Sequence, residues 1–419
     1  KTKSLSGGVS MELKKLIAQK IKELQPDMIE ASKKFVSINS VNPRTGGPGE
    51  KEVSEYLQAV LQSWKFDEIK RYDAPDSAVP YGYRPNIIAI YKGKNPSKTL
   101  WFMTHMDKVP AGDISLWNTD PYTAVEKDGK IYGRGSEDNG SSMISSIFAV
   151  KALMDMGIRP ENNIGIALVS DEETGSEYGI QYLIDQKVFG KNDWFVIPDS
   201  GEPDGAFIEL AEKSMMRFKI TTQGKQAHAS MPNLAKNAVR AGMNFAVAVD
   251  KFLNETYNVT DPLFDPPYST FEPTKKDNNV ENINTIPGTD VQHFDCRVLP
   301  MYDVNDIMAK VKDMAREYSR KYDVTITIDD SDKRNAPAPT PEDHDLVKLL
   351  KASIKEMTGI IPRTGGIGGG TCAAHLRAYG IPCVVWATLD EMAHQPNEYI
   401  KIEYLLKDAS VYAYMMSKF

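Results

Sequence analysis

Residues Thr99–Lys108, TLWFMTHMDK, join a run of apolar, β-prone residues to a histidine and an aspartate two positions apart. Alternate side chains of an extended strand share a face. We therefore expect His105 and Asp107 to project together from the carboxyl end of a buried strand. Because open α/β sheets bind ligands outside the carboxyl ends of their strands, this stretch indicates both a fold class and the place of a site.

The segments around this strand predict an α/β fold with a largely parallel sheet. Short continuous apolar runs, such as Ile164–Ser170 and Trp194–Ile197, alternate with helical patterns such as Met11–Ser37 and Ser141–Met156. That alternation is typical of a mixed, mostly parallel sheet with helices on its faces.

The pattern changes to β-α-β-β-α-β between residues 211 and 331. A half-exposed strand, Met215–Thr222, precedes a helix, and two strands at Asn279–Ile286 and Val291–Val298 are joined by a PGTD turn. A second helix and a last strand complete the order, which is that of a ferredoxin-like α+β domain. The sequence thus predicts an inserted lid.

A chain of 419 residues is too long for one ordinary core. We predict a discontinuous catalytic α/β domain, residues 11–210 and 332–419, with the lid inserted at 211–331. Residues 1–10, KTKSLSGGVS, are typical of a leader, and we expect the native sequence to begin at Met11.

Composition and charge exclude several classes of function. The formal net charge of −7 leaves no basic surplus for neutralising phosphates, which argues against a nucleic-acid partner. No apolar run reaches the roughly 20 residues that cross a bilayer, so we expect no membrane association. The three scattered cysteines argue against a disulfide framework or a thiolate zinc site. They favour a reducing compartment, and we expect a cytoplasmic protein.

Polar clusters follow the apolar runs at five places. They contain the following residues: His105 with Asp107, Asp138, Glu172 with Glu173, Asp199, and His394. Two imidazoles and three carboxylates are ligands that Zn²⁺ accepts in catalytic sites. They suffice for two ions about 3.5–4 Å apart if one carboxylate bridges them. Asp107 is placed to orient a ligating histidine through its other ring nitrogen.

Each cluster alone also has an ordinary structural explanation. A His-x-Asp pair at a strand end is usually a turn with satisfied hydrogen bonds. DEETG is usually a solvated helix start, where acidic residues favour the helix dipole. GRGSEDNG is also typical of a plain turn, and GGIGGGT of a flexible connector. Their succession at strand ends of one predicted sheet favours the functional interpretation.

The order and local sequence of these segments resemble the superfamily of dinuclear zinc amidohydrolases and metallopeptidases, peptidase clan MH. That superfamily contains succinyl-diaminopimelate desuccinylase, acetylornithine deacetylase, aminoacylase, carnosine dipeptidase and glutamate carboxypeptidase. The similarity extends from about Ile21 to the end of the chain. It rests on THMDKVP, GRGSEDNG, SDEETGS, IPDSGEP and AHQPNEY, which occur in the family's order.

The resemblance implies two Zn²⁺ ions per subunit. His105 and Asp199 would bind one ion, and Glu173 and His394 would bind the other. Asp138 would bridge the pair. Co²⁺ or Mn²⁺ would also suit the site, because nitrogen and oxygen ligands discriminate poorly among these metals.

The resemblance also implies catalytic and substrate-binding residues. Asp107 would orient a ligating histidine, and Glu172 would be the general base toward a zinc-activated water. His228, in GKQAHASMP, would stabilise the oxyanion, often in the partner's active site. Substrate contacts are implied for Asn284 of NTIPG, Arg297 of DCRVLP, and Gly369, Gly370 and Thr371 of GGIGGGT.

The implied function is hydrolysis of an amide bond in a small N-acyl amino acid or short peptide. The enzyme would be a deacylase, desuccinylase or carboxypeptidase, and a homodimer through the lid. Cys372 stands where relatives often have aspartate, and Gly140 where they often have lysine, which weakens transfer of substrate identity. An aminopeptidase or dipeptidase with the same chemistry stays open. A non-catalytic metal-binding dimeric scaffold also stays open, although it would need neither Glu172 nor His228.

Overall fold

The computed structural model describes residues 2–419, with side chains from Met11 onward, so the expected leader lies outside the described side chains. The helices are α1 Thr2–Ser37, α2 Lys51–Ser63, α3 Ser142–Asp155, α4 Tyr182–Asp185, α5 Ala238–Thr256, α6 Val304–Tyr322, α7 Asp345–Thr358, α8 Ala373–Ala378 and α9 Ile402–Lys418. The first strands are β1 Glu68–Pro75, β2 Tyr83–Tyr91, β3 Thr99–His105, β4 Val125–Lys127, β5 Lys130–Tyr132, β6 Asn163–Val169, β7 Trp194–Gly201 and β8 Phe207–Glu212. The later strands are β9 Ser214–Gln223, β10 Ala227–His228, β11 Thr270–Lys276, β12 Thr285–Ile286, β13 Thr289–Val298, β14 Thr325–Arg334, β15 Arg363–Ile367, β16 Cys383–Ala387 and β17 Tyr399–Lys401.

The main sheet has eight strands in the order β1-β2-β6-β3-β7-β16-β8-β15. Its central strands β6, β3, β7 and β16 are mutually parallel, whereas β2 is antiparallel to both β6 and β1, and β8 is antiparallel to β16. The predicted mixed, mostly parallel sheet is therefore confirmed. Parallel central strands bring their carboxyl ends to one edge of the sheet, which is where a site is expected.

Strand β3 shows why the sequence of a central strand in this sheet is continuously apolar. Every residue of β3 is buried. Phe102 packs with Tyr412 of α9 on one face, and Trp101 packs with Phe189 and Phe195 on the other. A strand with helices or loops on both faces has no solvent side, so the polar–apolar alternation disappears. At Gly165 of β6, a Cβ atom would lie 2.2 Å from the Trp101 ring, and glycine is required there.

The chain divides into two compact units. The first comprises the chain up to Leu210, Thr340–Thr364 and Thr371–Phe419, and the second comprises Ala211–Pro339 and Gly365–Gly370. The second unit thus extends beyond the predicted boundary at residue 331. It does so because β14 continues to Arg334 beside β9. The glycine segment joins it because the Gly366 N–H donates to Leu263 O at 2.6 Å.

The second unit contains a four-stranded antiparallel sheet in the order β11-β13-β9-β14. In chain order, β9, α5, β11, β13, α6 and β14 form the predicted ferredoxin-like arrangement. The predicted strand at 279–286 is wrong. The chain pairs at Thr270–Lys276 instead, where Phe271 is buried against Cys296 of β13, and only Thr285–Ile286 of the predicted segment is extended, beside β10.

None of the helices described here combines the length and apolarity required to span a bilayer.

Candidate metal centre

The predicted ligands lie at the carboxyl edge of the main sheet. They occupy these positions: His105 ends β3, Glu172 and Glu173 follow β6, Asp199 lies late in β7, Asp138 lies in the turn before α3, and His394 lies between β16 and β17. The first unit therefore brings together residues that are separated by up to 289 positions in the chain, counted from 105 to 394. The Asp138–Asn139 peptide bond is cis.

Asp138 lies between two groups of side chains. His105 Nε2 lies 3.0 Å from Asp138 Oδ1 and 3.3 Å from Asp199 Oδ1. His394 Nε2 lies 3.2 Å from Asp138 Oδ2 and 3.2 Å from Glu173 Oε2. In each group the potential ligand atoms lie within 4.8 Å of one another. Each oxygen of Asp138 thus faces a different histidine, which is the geometry of a bridging carboxylate.

The electrostatics of these groups fit divalent cations. Burial opposes a charge on His105, yet the surrounding carboxylates, Asp199 foremost, raise its pKa well above the ordinary value. Hydrogen bonds to Asp138 and Glu173 raise the pKa of His394 to about 10. Burial, followed by the charge of Asp138, raises the pKa of Glu173 to about 7. The three groups thus share a partly desolvated space with an excess of carboxylates, and a cation would offset that negative charge.

The donor set and one unsatisfied atom support the same conclusion. Within the described residues, no hydrogen-bond donor contacts Oε1 of Glu173, although this oxygen is buried. A buried carboxylate oxygen without a partner is costly and needs an explanation such as an ion. Imidazole nitrogens and carboxylate oxygens suit Zn²⁺ and its neighbours in the first transition row. The residues present therefore fit a divalent metal.

Backbone hydrogen bonds fix the turn that carries Glu172 and Glu173. Both lie in a 3₁₀ turn that begins after Asp171, which has a left-handed backbone with φ of 65°. The N–H of Glu172 donates to Asp107 Oδ1 at 3.0 Å, and the N–H of Glu173 donates to Oδ2 at 3.1 Å. The Glu172 side chain lies beside Cys372, with Sγ 3.8 Å from Oε1. Burial, followed by the charge of Asp199, raises the pKa of Glu172 well above its ordinary value.

Asp107 has a broader set of contacts than the sequence indicates. His105 Nδ1 lies 3.0 Å from the backbone oxygen of Asp107 and 3.5 Å from its Oδ1. The Asp107 carboxylate instead accepts the two glutamate N–H groups and Asn42 Nδ2, the last at 2.8 Å. The carbonyl is thus the nearer partner of the imidazole, and the carboxylate organises the turn that carries both glutamates.

The predicted residues of the second unit form two groups. His228 lies on β10 opposite Thr285, and its Nδ1 is 2.8 Å from Ser230 Oγ. Asn284 is close by, since its backbone oxygen accepts the Ala229 N–H at 2.8 Å. Arg297 on β13 pairs with Asp295 at 2.7 Å and donates to Gly368 O at 3.1 Å. Gly369 and Gly370 belong to this unit, whereas Thr371 belongs to the first.

Several polar residues that support the site were missed from the sequence. They are Asn42, Glu137, Asn139 and Glu398. Asn139, for example, donates to Asp199 Oδ1 at 2.9 Å and to Pro198 O at 2.8 Å. Glu137 and Asn139 lie inside the quoted motif GRGSEDNG and Glu398 inside AHQPNEY, so the motifs contained three of these four residues. Their partners are mostly backbone groups, which sequence patterns do not show.

Three comparisons relate this chain to known proteins. A family model described as peptidase family M20/M25/M40 matches residues 101–418. An uncharacterized metallohydrolase of Methanococcus maripaludis is 41% identical over 414 residues, covering 94% of this chain and 99% of that protein. Succinyl-diaminopimelate desuccinylase of Rickettsia bellii is 26% identical over 391 residues, covering 91% and 93%. The crystal structure of aminopeptidase PepT from Bacillus cereus has a TM-score of 0.74 at 18% identity, covering 94% and 98%.

Proposed function

We propose that this chain, which belongs to peptidase family M20/M25/M40 and is a metal-dependent hydrolase, cleaves an amide bond. The proposed substrate is a small N-acyl amino acid or a short peptide. One observation carries this proposal. The two oxygens of Asp138 face two separate histidines, and a half-buried glutamate outside that bridge, Glu172, lies beside His105 of one group and Glu173 of the other. This arrangement suits a pair of ions and a base that acts beside them.

We assign the ligands in two sets. His105 and Asp199 would hold the first ion and His394 and Glu173 the second, with Asp138 shared between the two sets. Zn²⁺ is the proposed metal, with Co²⁺ or Mn²⁺ as alternatives. When bound, such ions acidify a water molecule and polarise the carbonyl oxygen of the substrate.

Glu172 is the proposed general base. Its carboxylate takes a proton from the attacking water and returns it to the leaving nitrogen, so the same group acts as base and then as acid. The hydrogen bond from its N–H to Asp107 fixes the start of the side chain. Burial raises the pKa of Glu172 above its ordinary value, and a raised pKa makes the carboxylate a stronger proton acceptor.

Residues of the second unit are proposed to bind the substrate. The exposed His228 stabilises the negative charge that develops on the carbonyl oxygen, as an imidazole N–H donor does. The guanidinium of Arg297 binds a substrate carboxylate, for which its planar fork is suited. Asn284 and the backbone of Gly369–Thr371 complete the substrate contacts. We also propose a homodimer formed through this unit and a cytoplasmic location, in which the free cysteines stay reduced.

The substrate class rests on similarity to a named desuccinylase, and an N-succinyl or N-acetyl amino acid is the first choice. An aminopeptidase or dipeptidase would need an acidic group to receive the free amine of its substrate. A panel of N-acetyl, N-succinyl and dipeptide substrates, assayed with zinc-loaded protein, separates these activities. A metal-binding scaffold without catalysis would cleave none of them.

Replacing Glu172 with Gln tests the mechanism. The variant keeps the shape of the side chain but loses the proton acceptor, so kcat should fall by at least about 100-fold. Its zinc content should equal that of the wild type, because the assigned ligands are intact. Glu177→Gln is the matched control, since Glu177 is an exposed residue nearby that pairs with Arg44. Near-normal activity of Glu172→Gln would exclude the assigned role.

A further inference from the structure

Glu398 holds the turn that carries Asp138. Its side chain is fully buried and accepts four hydrogen bonds. They come from Arg134 Nη1 at 2.7 Å and from the backbone N–H groups of Gly135, Glu137 and Asp138 at 3.0, 2.9 and 2.9 Å. A carboxylate that gathers a guanidinium and three backbone donors fixes that backbone firmly.

Glu137 makes the reciprocal connection. Its buried carboxylate accepts the backbone N–H groups of Asp390 at 3.0 Å and Met392 at 2.5 Å. These donors lie in the loop that carries His394, and Glu398 lies at the end of the same loop. The Gly133 N–H adds a backbone bond to Glu398 O at 2.9 Å. The turn that carries Asp138 and the loop that carries His394 thus each supply a carboxylate that accepts backbone N–H groups of the other.

His394 needs such support more than the other proposed ligands. Its side chain is 58% exposed, whereas that of His105 is 2% exposed. Its backbone is left-handed, with φ of 63°, in a loop between β16 and β17. Left-handed backbone is uncommon for residues other than glycine and persists where the surroundings impose it. The hydrogen bonds to Glu137 and Glu398 supply that constraint on both sides of His394.

We propose that Glu137 and Glu398 are positioning residues that hold Asp138 and His394 at their mutual distance and thereby set the affinity of the second metal position. This inference rests on the proposed two-metal function. Residues that orient metal ligands typically contribute 10- to 100-fold in affinity. The first position shares only Asp138 with these two segments, because its other ligands, His105 and Asp199, lie on β3 and β7.

Glu398→Gln tests the proposal. Each Glu398 oxygen accepts two donors, so an amide nitrogen at either place opposes two N–H groups. Zn²⁺ binding is measured by calorimetry and by competition with a chelator. The wild type should bind two ions. The variant should bind the second ion about 10- to 100-fold more weakly and the first ion with a clearly smaller loss, because the first ion shares only Asp138 with the disturbed segments.

His394→Ala identifies the affected position, because it should weaken the same ion. A double variant with both Glu398→Gln and His394→Ala should lose no more affinity for the second ion than His394→Ala alone. Glu209→Gln is the matched control, since Glu209 forms a buried pair with Arg377 at 2.7 Å, on β8 and α8. It should lower the free energy of unfolding without changing either zinc affinity. If Glu398→Gln does not fold, Glu137→Gln replaces it, with the same expectation.

Two results would overturn the inference and are distinguishable. Wild-type protein that binds a single ion refutes the two-metal function and the inference with it. Wild-type protein that binds two ions, beside a Glu398→Gln variant that loses neither or weakens both equally, refutes the inference alone. In that case the carboxylates serve only the stability of the fold.

Discussion

The three hydrogen bonds to the Asp107 carboxylate allow the effect of one substitution to be worked out. Oδ1 accepts the Glu172 N–H, and Oδ2 accepts the Glu173 N–H and Asn42 Nδ2. Asn in place of Asp107 turns one oxygen into a donor. The least costly orientation of the new amide group puts its nitrogen in place of Oδ1, so that only the hydrogen bond from the Glu172 N–H is lost. A hydrogen bond to a charged group contributes about 1.5–3 kcal/mol, so Asp107→Asn should lose that much stability.

The functional effect should exceed the effect on stability. The lost bond fixes the turn that carries both the proposed base and a proposed ligand, and His105 Nδ1 lies 3.5 Å from the same oxygen. We expect zinc affinity to fall by about 10- to 100-fold, as for other residues that orient metal ligands. Urea unfolding of metal-free protein measures the loss of stability. Zinc binding and steady-state kinetics measure the loss of zinc affinity and of turnover.

Asp193→Asn is an unusually close control. Asp193 is also buried, and it also accepts one N–H on Oδ1, from Thr99, and two on Oδ2, from Trp101 Nε1 and Gly190. Thr99 begins β3, the strand that ends at His105, so this aspartate lies at the opposite end of the same strand. The two variants should lose similar stability, and only Asp107→Asn should lose zinc affinity and turnover. Equal zinc affinities in the two variants would refute the reasoning.

Two further predictions concern stability. Burial raises the pKa of Asp408 to about 7, so the native protein keeps a proton that the unfolded chain releases above about pH 4. The contribution of Asp408 to the free energy of unfolding therefore falls as the pH rises from about 4 to 7. Relative to wild type, the free energy of unfolding of Asp408→Asn should rise by up to about 4 kcal/mol between pH 4 and 8. A difference between the two proteins that does not change with pH would contradict this. Lys108 is fully buried and donates to three carbonyl oxygens at the end of α1. Lys108→Met leaves these acceptors without that donor and should cost about 3 kcal/mol in urea unfolding, whereas unchanged stability would show that the ammonium contributes nothing.

The sequence was most informative where local pattern and function coincide. TLWFMTH is apolar on both faces because both faces of β3 are covered, and His105 interrupts that pattern where the strand ends. The same signal marks Asp199 in β7. The lid was harder to predict, since Thr270–Lys276 lies in a proline-rich stretch and has one buried residue, Phe271. Its pairing with β13 is a tertiary contact that overrides its local composition.

The sequence motifs include residues that support the site but do not show which groups those residues contact. Glu137 and Glu398 look like ordinary surface acids in polar loops, yet both are buried. Their burial depends on backbone N–H groups supplied by segments more than 250 residues away, counted from 137 to 390. For Asp107 the sequence indicated a partnership with His105, whereas the backbone of the glutamate turn emerged only from the fold.

Anomalous diffraction at the zinc absorption edge, from crystals of zinc-loaded protein, tests the central claim most directly. The account predicts two peaks on either side of the Asp138 carboxylate, one beside His105 and Asp199 and the other beside His394 and Glu173. A single peak, or peaks away from Asp138, would contradict it.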